Sequence, residues 1–290
     1  MRYEGPIFRP PSEANSLLIQ ATIGCPHNKC TFCGLYKKKK FRIRPVSEIK
    51  EDLVMAREAY SSEVRSIFFP DGNSIVMKTK DLVEIFELCY QLFPHLERIT
   101  IYGSARFLAR KSLEELKALA AAGLSRIHSG MESGDDEVLL KIQKGATAQQ
   151  IIDAGLRVKE AGIELSEYLL IGIGGRTLSK QHALGSARVL NALDPHFIRI
   201  RTYAPVPKTP LGQEYLNGTF QRLSPHEALK ETRLIIENLQ TTGFFLSDHI
   251  SNFVNLNGRM PNDKATMLRL LDYALTLDES KFETVDYRYM

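Results

Sequence analysis

The stretch Ser16-Leu-Leu-Ile-Gln-Ala-Thr-Ile23-Gly-Cys25-Pro-His-Asn-Lys-Cys30-Thr-Phe-Cys33 joins an apolar run directly to a loop that carries three thiols. Residues 16–23 read as a β-strand, so the cysteine loop leaves its C-terminal end. The same order of elements recurs downstream. Strands are expected over 65–69, 97–102, 125–129, 164–171 and 197–203, and helices over 47–60, 80–93, 112–122, 135–142, 148–161 and 178–193. About six β-then-α units with short connections call for parallel strands joined by right-handed crossovers. The expected class is α/β, a partial (β/α)6 barrel of the TIM type with a C-terminal extension, because six units fall short of a closed barrel's eight. A doubly wound sheet is also compatible with the pattern. In a barrel the C-terminal strand ends carry the site, and the cysteine loop lies at such an end.

With 290 residues the chain can bury one large core. Its 43% hydrophobic and 25% charged content argues against disorder, collagen-like repeats and coiled coil. Subtracting 34 acidic from 38 basic residues leaves +4, too mild for bulk charge to imply nucleic-acid binding. No apolar run reaches bilayer-spanning length, and the start MRYEGPIFRPP lacks the order of a secretory signal, which points to a cytoplasmic protein with no membrane partner. After Tyr203 the texture changes: Pro205, Pro207 and Pro210 lead to a helix over 225–240 and a polar tail. The expected layout is one domain, with a barrel over 1–211 (core about 17–211) and a C-terminal helix and tail over 212–290 packed on it.

Four cysteines, three of them between positions 25 and 33, argue for a metal site over a disulfide framework. Three thiolates can hold three irons of a [4Fe–4S] cluster and leave the fourth iron open for substrate chemistry. Spacing alone equally admits zinc, completed by His27 or Cys89, or buried unreactive thiols. Cys89 falls in an apolar helical run and reads as core.

Together with the segments that follow, this loop resembles the radical S-adenosylmethionine (SAM) superfamily, nearest to the branch of oxygen-independent coproporphyrinogen oxidase and the Elongator catalytic subunit. The cysteines are separated by four residues and then two, where that superfamily usually has three and then two. Phe32 matches its aromatic residue before the third cysteine, near the adenine. Phe69-Pro-Asp71-Gly72-Asn73 resembles the segment that meets the methionine amino group, Gly130-Met-Glu132-Ser-Gly134 through Lys144 the segment after the fourth strand, and Leu170-Ile-Gly172-Ile-Gly-Gly175 the fifth-strand glycine motif. Residues 197–210 look like the sixth strand and its proline-rich exit, so the resemblance spans 17–211. It implies a [4Fe–4S] cluster on Cys25, Cys30 and Cys33, and contacts to SAM from Phe32, Asp71, Gly72, Asn73, Ser104, Glu132, Lys144, Gly172 and Arg201. Glu132 would face the amino group or ribose and Lys144 the carboxylate, a charge pattern suited to a zwitterion. Their plain alternatives are a helix N-terminal acid and a solvated helix-end cation. The implied activity is reductive cleavage of SAM to a 5′-deoxyadenosyl radical that abstracts hydrogen from an unidentified substrate. The oxidase's acids on its third and fifth strands are Tyr102 and Tyr168 here, a departure from its second-SAM and porphyrin arrangement.

Three further features bear on substrate and partner. Ser247-Asp248-His249-Ile-Ser251-Asn252-Phe253 gathers polar groups in the tail: His249 as proton donor or substrate ligand, Asp248 orienting it, and Tyr168 as a further candidate catalytic side chain. A turn and capping cluster is the plain alternative. Arg199 and Arg201 alternate with Ile198 and Ile200 and so share one strand face, suited to an anionic substrate or the SAM carboxylate. Lys37 to Lys40 follows the cysteine loop directly, either as a solvated face or as a docking surface for an acidic electron donor such as flavodoxin or ferredoxin. The rival readings are a radical SAM-type methyltransferase, a haem- or cluster-trafficking protein on the same scaffold, and a zinc-bound RNA-interaction module.

Overall fold

The computed structural model describes residues 1–60 and 63–282; the last eight positions of the expected extension, 283–290, lie outside the described residues. The strands are β1 (Leu17–Leu18), β2 (Thr22–Ile23), β3 (Arg42–Ile43), β4 (Ser66–Phe69), β5 (Arg98–Tyr102), β6 (Leu124–Glu132), β7 (Glu164–Ile171), β8 (Phe197–Thr202), β9 (Phe244–Leu246) and β10 (Gly258–Arg259). The helices are α1 (Val46–Tyr60), α2 (Thr79–Leu92), α3 (Ala105–Leu108), α4 (Leu113–Ala121), α5 (Asp136–Lys141), α6 (Ala148–Glu160), α7 (Gly175–Leu193), α8 (Pro210–Leu216), α9 (Pro225–Asn238) and α10 (Lys264–Ala274). The main sheet runs β1-β4-β5-β6-β7-β8-β9-β10, mostly parallel with β10 antiparallel at its edge, and β2 pairs with β3 alone. The α/β class read from the sequence is therefore the observed one. Among the described residues no helix is long and apolar enough to cross a membrane.

The chain divides into two compact units. The first comprises Met1–Asn28, Tyr36–Ser129 and Ala154–Leu165. Its parallel ladder pairs Leu17 with Ile67, Ile67 with Ile99 and Ile101 with Ile127, all but Leu17 fully buried. Helix α4 starts where Ser112 and Glu115 form a capping box, and the chain turns after it at Gly123 (φ +102), where any Cβ would collide with the Tyr90 ring. The single strand expected over 16–23 is instead split. Arg44 donates its backbone N–H to Ala21 and its guanidinium to the Gln20 carbonyl, so the chain leaves the parallel ladder and pairs with Arg42–Ile43. A buried ion pair with Asp52 at 2.7 Å anchors Arg44.

The second unit comprises Lys29–Leu35, Gly130–Asp153 and the chain from Ser166 onward. Tyr168 pairs with Arg199 and Leu170 with Arg201 in the parallel β7–β8 register. Helix α7 packs on α9, and α9 on α10. It begins at Gly175, three residues before the expected start, because the left-handed Gly175 (φ +64) turns the chain into it beside Phe220. The extension also supplies β9, which pairs in parallel with β8 through Phe197 and Phe244. At three residues β9 is too short to show a periodicity, which is why the sequence reading passed over it.

Candidate active site

In the first unit, Cys25 leaves β2 beside the loop that ends β4. Gly72 donates its N–H to the Gly24 carbonyl at 2.9 Å, and a Cβ on Gly72 would stand 2.5 Å from the Cys25 Cβ. The glycine's close approach is thus to the cysteine itself. Asn73 directs its side-chain N–H to the Cys25 sulfur at 3.8 Å while its oxygen accepts the Ser104 N–H at 2.6 Å, and the Asn28 N–H also faces that sulfur at 3.5 Å. Asp71 is fully buried and has left-handed backbone (φ +68). It accepts from the Gly24 N–H at 2.8 Å and from Gln20 at 3.0 Å, and pairs with Lys39 at 3.6 Å. Burial raises its carboxyl above the usual range, against the opposing pull of Gly24, Lys39 and Gln20. In this geometry Asp71, read from the sequence as a SAM contact, braces the start of the cysteine loop.

The lysine run therefore divides. Lys39 reaches Asp71 and the Pro6 carbonyl, and Lys37 donates to the Asn28 carbonyl at 2.9 Å, while Lys38 and Lys40 are exposed.

In the second unit, the segment carrying Cys30 and Cys33 is stitched by its backbone: Thr31 donates to the Ile142 carbonyl and its own carbonyl accepts from Leu211, both at 3.0 Å. Between the two thiols, Phe32 packs on an apolar cluster that includes Val138, Ile142, Leu170, Tyr203 and Phe220. Glu132 ends β6 in left-handed backbone (φ +61) and pairs with Lys144 at 2.9 Å. Burial acts to lower the Lys144 ammonium pKa, but the Glu132 carboxylate and the negative charge of Cys30 and Cys33 outweigh it and hold the group above its usual range.

Gly172 adopts φ +81 at the end of β7 and donates its N–H to the buried Glu231 of α9 at 2.6 Å. Glu231 also accepts from Ser179 and lies 3.5 Å from His182, whose other nitrogen is 2.9 Å from Ser133. Burial pushes Glu231 up to about 7 and His182 down to about 4. Sequence reading missed this set because its members are far apart in the chain and no local pattern links them. Farther along, Arg201 lies over the Tyr168 ring, Asp248 pairs with Arg199 at 3.3 Å, and Ser251 and Asn252 bond to β8.

Among the described residues no three His, Cys, Asp or Glu side chains form a ready-made metal-binding group. The donor chemistry nevertheless suits an iron–sulfur cluster: Cys25, Cys30 and Cys33 are part-exposed cysteines that form no disulfide among the described residues. Cys89 is fully buried in α2 among core side chains, and burial pushes its thiol far up. A cleft of about 510 Å³ lies at the N-terminal strand ends of the first unit, lined by Arg65, Glu97, Arg98, Ser125 and Glu164. Its charges are largely paired, Arg65 with Glu97 and Arg98 with Glu13, and it carries none of the cysteines.

A family model described as the radical SAM superfamily matches residues 19–184. Among curated proteins the chain is similar to an uncharacterised methyltransferase of Pyrococcus horikoshii, 26% identical over 197 residues, which covers 67% of this chain and 40% of that protein. It is also similar to the heme chaperone HemW of Bacillus subtilis, 22% identical over 175 residues, 58% of this chain and 46% of that one. The chain thus spans under half the length of these two relatives. Among solved structures, methylornithine synthase superposes with a TM-score of 0.54 at 16% identity, covering 93% of this chain and 83% of that one. Coproporphyrinogen III oxidase from Escherichia coli gives 0.56 at 18% identity, covering 77% and 52%. These likenesses establish the fold, a partial barrel of the kind read from the sequence.

Proposed function

Because the chain belongs to the radical SAM superfamily, we propose that it is an enzyme that holds a [4Fe–4S] cluster on Cys25, Cys30 and Cys33, cleaves SAM reductively to a 5′-deoxyadenosyl radical and abstracts hydrogen from a substrate. The observation that carries this reading is the Glu132–Lys144 pair in the electrostatic field of Cys30 and Cys33. When bound, the cluster and SAM supply the electron transfer and the bond cleavage.

The chain's own residues supply placement. Gly72 leaves room for Cys25, while Asn73 and the Asn28 N–H orient its sulfur. Glu132 and Lys144 offer an anion and a cation to the ammonium and carboxylate of a methionine end, exchanging their mutual pair for two with the ligand. Phe32 presents an apolar surface, and Gly172 lets the chain turn at the end of β7 in left-handed backbone. The exposed Lys38 and Lys40 suit an acidic flavodoxin or ferredoxin as electron donor. Reduced thiols suit the cytoplasm. Residues 212–290 act with 1–211 as one domain in this reading.

A second reading, methyl transfer, is favoured by the likeness to the Pyrococcus horikoshii methyltransferase. The test is anaerobic reconstitution of the full chain with iron, sulfide and a reductant. Metal content is then measured and SAM products are separated. The wild type is expected to bind iron and sulfide and to release 5′-deoxyadenosine; S-adenosylhomocysteine would support methyl transfer. Alanine at Cys25, Cys30 or Cys33 should abolish both properties, and alanine at Cys89 neither. Zinc without iron, or full activity in Cys30→Ala, overturns the proposal.

A further inference from the structure

One face of strand β8 carries two arginines in different states. Arg199 is nearly fully buried, and Asp248 answers its charge at 3.3 Å. Arg201, two residues on, has no acidic partner among the described residues; its guanidinium lies over the Tyr168 ring, 5.3 Å from the centroid. A cation held on an aromatic face is positioned without being neutralised.

The tail segment around His249 is tied to the same strand. Ser251 accepts the Thr202 N–H at 3.1 Å through its hydroxyl, and Asn252 donates to the carbonyls of Ile200 and Ser247 at 2.9 and 3.1 Å. Within it, the His249 Nδ1 accepts the backbone N–H of Ser251 at 3.2 Å and lies 2.8 Å from the Ser251 hydroxyl. A ring nitrogen that accepts from a backbone N–H carries no proton, so the neutral ring bears its proton on Nε2. Burial, then the Arg201 charge, push His249 down to about 4 against the pull of Asp248, so the ring is neutral near pH 7. Its Nε2–H has no partner among the described residues.

We propose that Arg201 and His249 form an oxyanion subsite that receives a carboxylate of the substrate, Arg201 as the cation and the His249 Nε2–H as a neutral donor. The charge ledger selects the carboxylate. Arg199 and Asp248 cancel, His249 is neutral, and the remaining +1 matches a single negative charge better than a phosphate dianion. The methionine carboxylate of SAM is the other source of this chemistry, and the Glu132–Lys144 pair already answers it. That the carboxylate belongs to a substrate rests on the function proposed above; that an anion binds here does not.

The test follows the His249 ring by nitrogen-15 NMR in the full chain labelled at histidine, its signal assigned by its loss in His249→Gln. Acetate and inorganic phosphate are titrated in turn, each with and without saturating SAM. Acetate is expected to shift the Nε2 signal saturably, to bind more tightly than phosphate, and to do so equally with SAM present. Arg201→Gln should weaken acetate binding at least about ten-fold, the ordinary loss for a charged hydrogen bond. No saturable shift overturns the subsite; tighter phosphate binding overturns the carboxylate assignment; displacement of acetate by SAM reassigns the site to the methionine end. The wild-type arms stand even if the variant misfolds. None of these readouts needs SAM turnover, so failure here is distinct from failure of the radical chemistry, which the product assay decides.

Discussion

Gly72 shows how much one missing side chain can decide. Its Cα is held against Cys25 so closely that a methyl group would overlap the cysteine Cβ and stand 2.9 Å from its sulfur. Gly72→Ala must displace the cysteine or the turn, and is expected to lower the iron retained after anaerobic reconstitution sharply, with the fold monitored by circular dichroism. Iron content equal to the wild type would mean that the loop yields at little cost. Glu132 and Lys144 make the second test. Removing either charge should weaken SAM binding by about 1–3 kcal/mol, read by equilibrium titration. Unchanged affinity in both Glu132→Gln and Lys144→Met would return the pair to a local ion pair at the end of β6. Both residues were legible in the sequence as an acid and a base bracketing one segment. Their contact, and the left-handed backbone at Glu132 (φ +61), depend on the path between them and were not.

Helix α9 illustrates what an element contributes from outside the motifs. Its Glu231 is buried against the turn at Gly172, and its pKa of about 7 lies above the ordinary 4.5. A carboxyl whose pKa rises on folding binds its proton more tightly in the folded state. The stability it contributes is full below about pH 4.5 and is lost as pH rises through about 7. In urea titrations, the stability of wild type relative to Glu231→Gln should fall between about pH 5 and 7.5 by on the order of 3 kcal/mol. His182, pushed down to about 4, contributes with the opposite sign and lies 3.5 Å from Glu231, so the same comparison in a His182→Asn background separates the carboxyl from the ring. A difference that does not vary with pH would show that Glu231 does not titrate there.

The lysine loop makes a similar point, because adjacent charges have different work. Lys39→Gln leaves the buried Asp71 without its cation and is expected to cost about 1–3 kcal/mol of stability. Lys38→Gln with Lys40→Gln should leave stability unchanged. That double variant should slow turnover driven by an acidic protein donor at low salt while sparing turnover driven by dithionite, since exposed charges act through screened steering. Equal loss with both donors would count against a docking role.

In the whole molecule, the described residues after 211 are bound into the fold. Helix α9 buries Leu229, Ile235 and Ile236, packs on α7 and bonds to Gly172, while β9 continues the sheet beside β8. A chain ending at residue 211 is therefore expected to aggregate or to bind a hydrophobic dye without a cooperative melt. A monomeric, cooperatively melting 1–211 would show that the barrel stands alone.

The α/β class, the order of strands and helices and the three-thiol loop could be read from the sequence because each is local. Apolar periodicity, turn residues and cysteine spacing act over a few positions, and they placed β7, β8 and α6 within a residue or so of where they lie. What depended on the packed chain was which distant groups meet. The turn of β2 away from the parallel ladder, Lys39 on Asp71, Glu231 on Gly172 and the tie of the His249 segment to β8 all arise from contacts between segments tens of residues apart. Burial then sets the charge states of Glu231 and His249, and desolvation is a property of the surroundings, which no residue carries in its own identity.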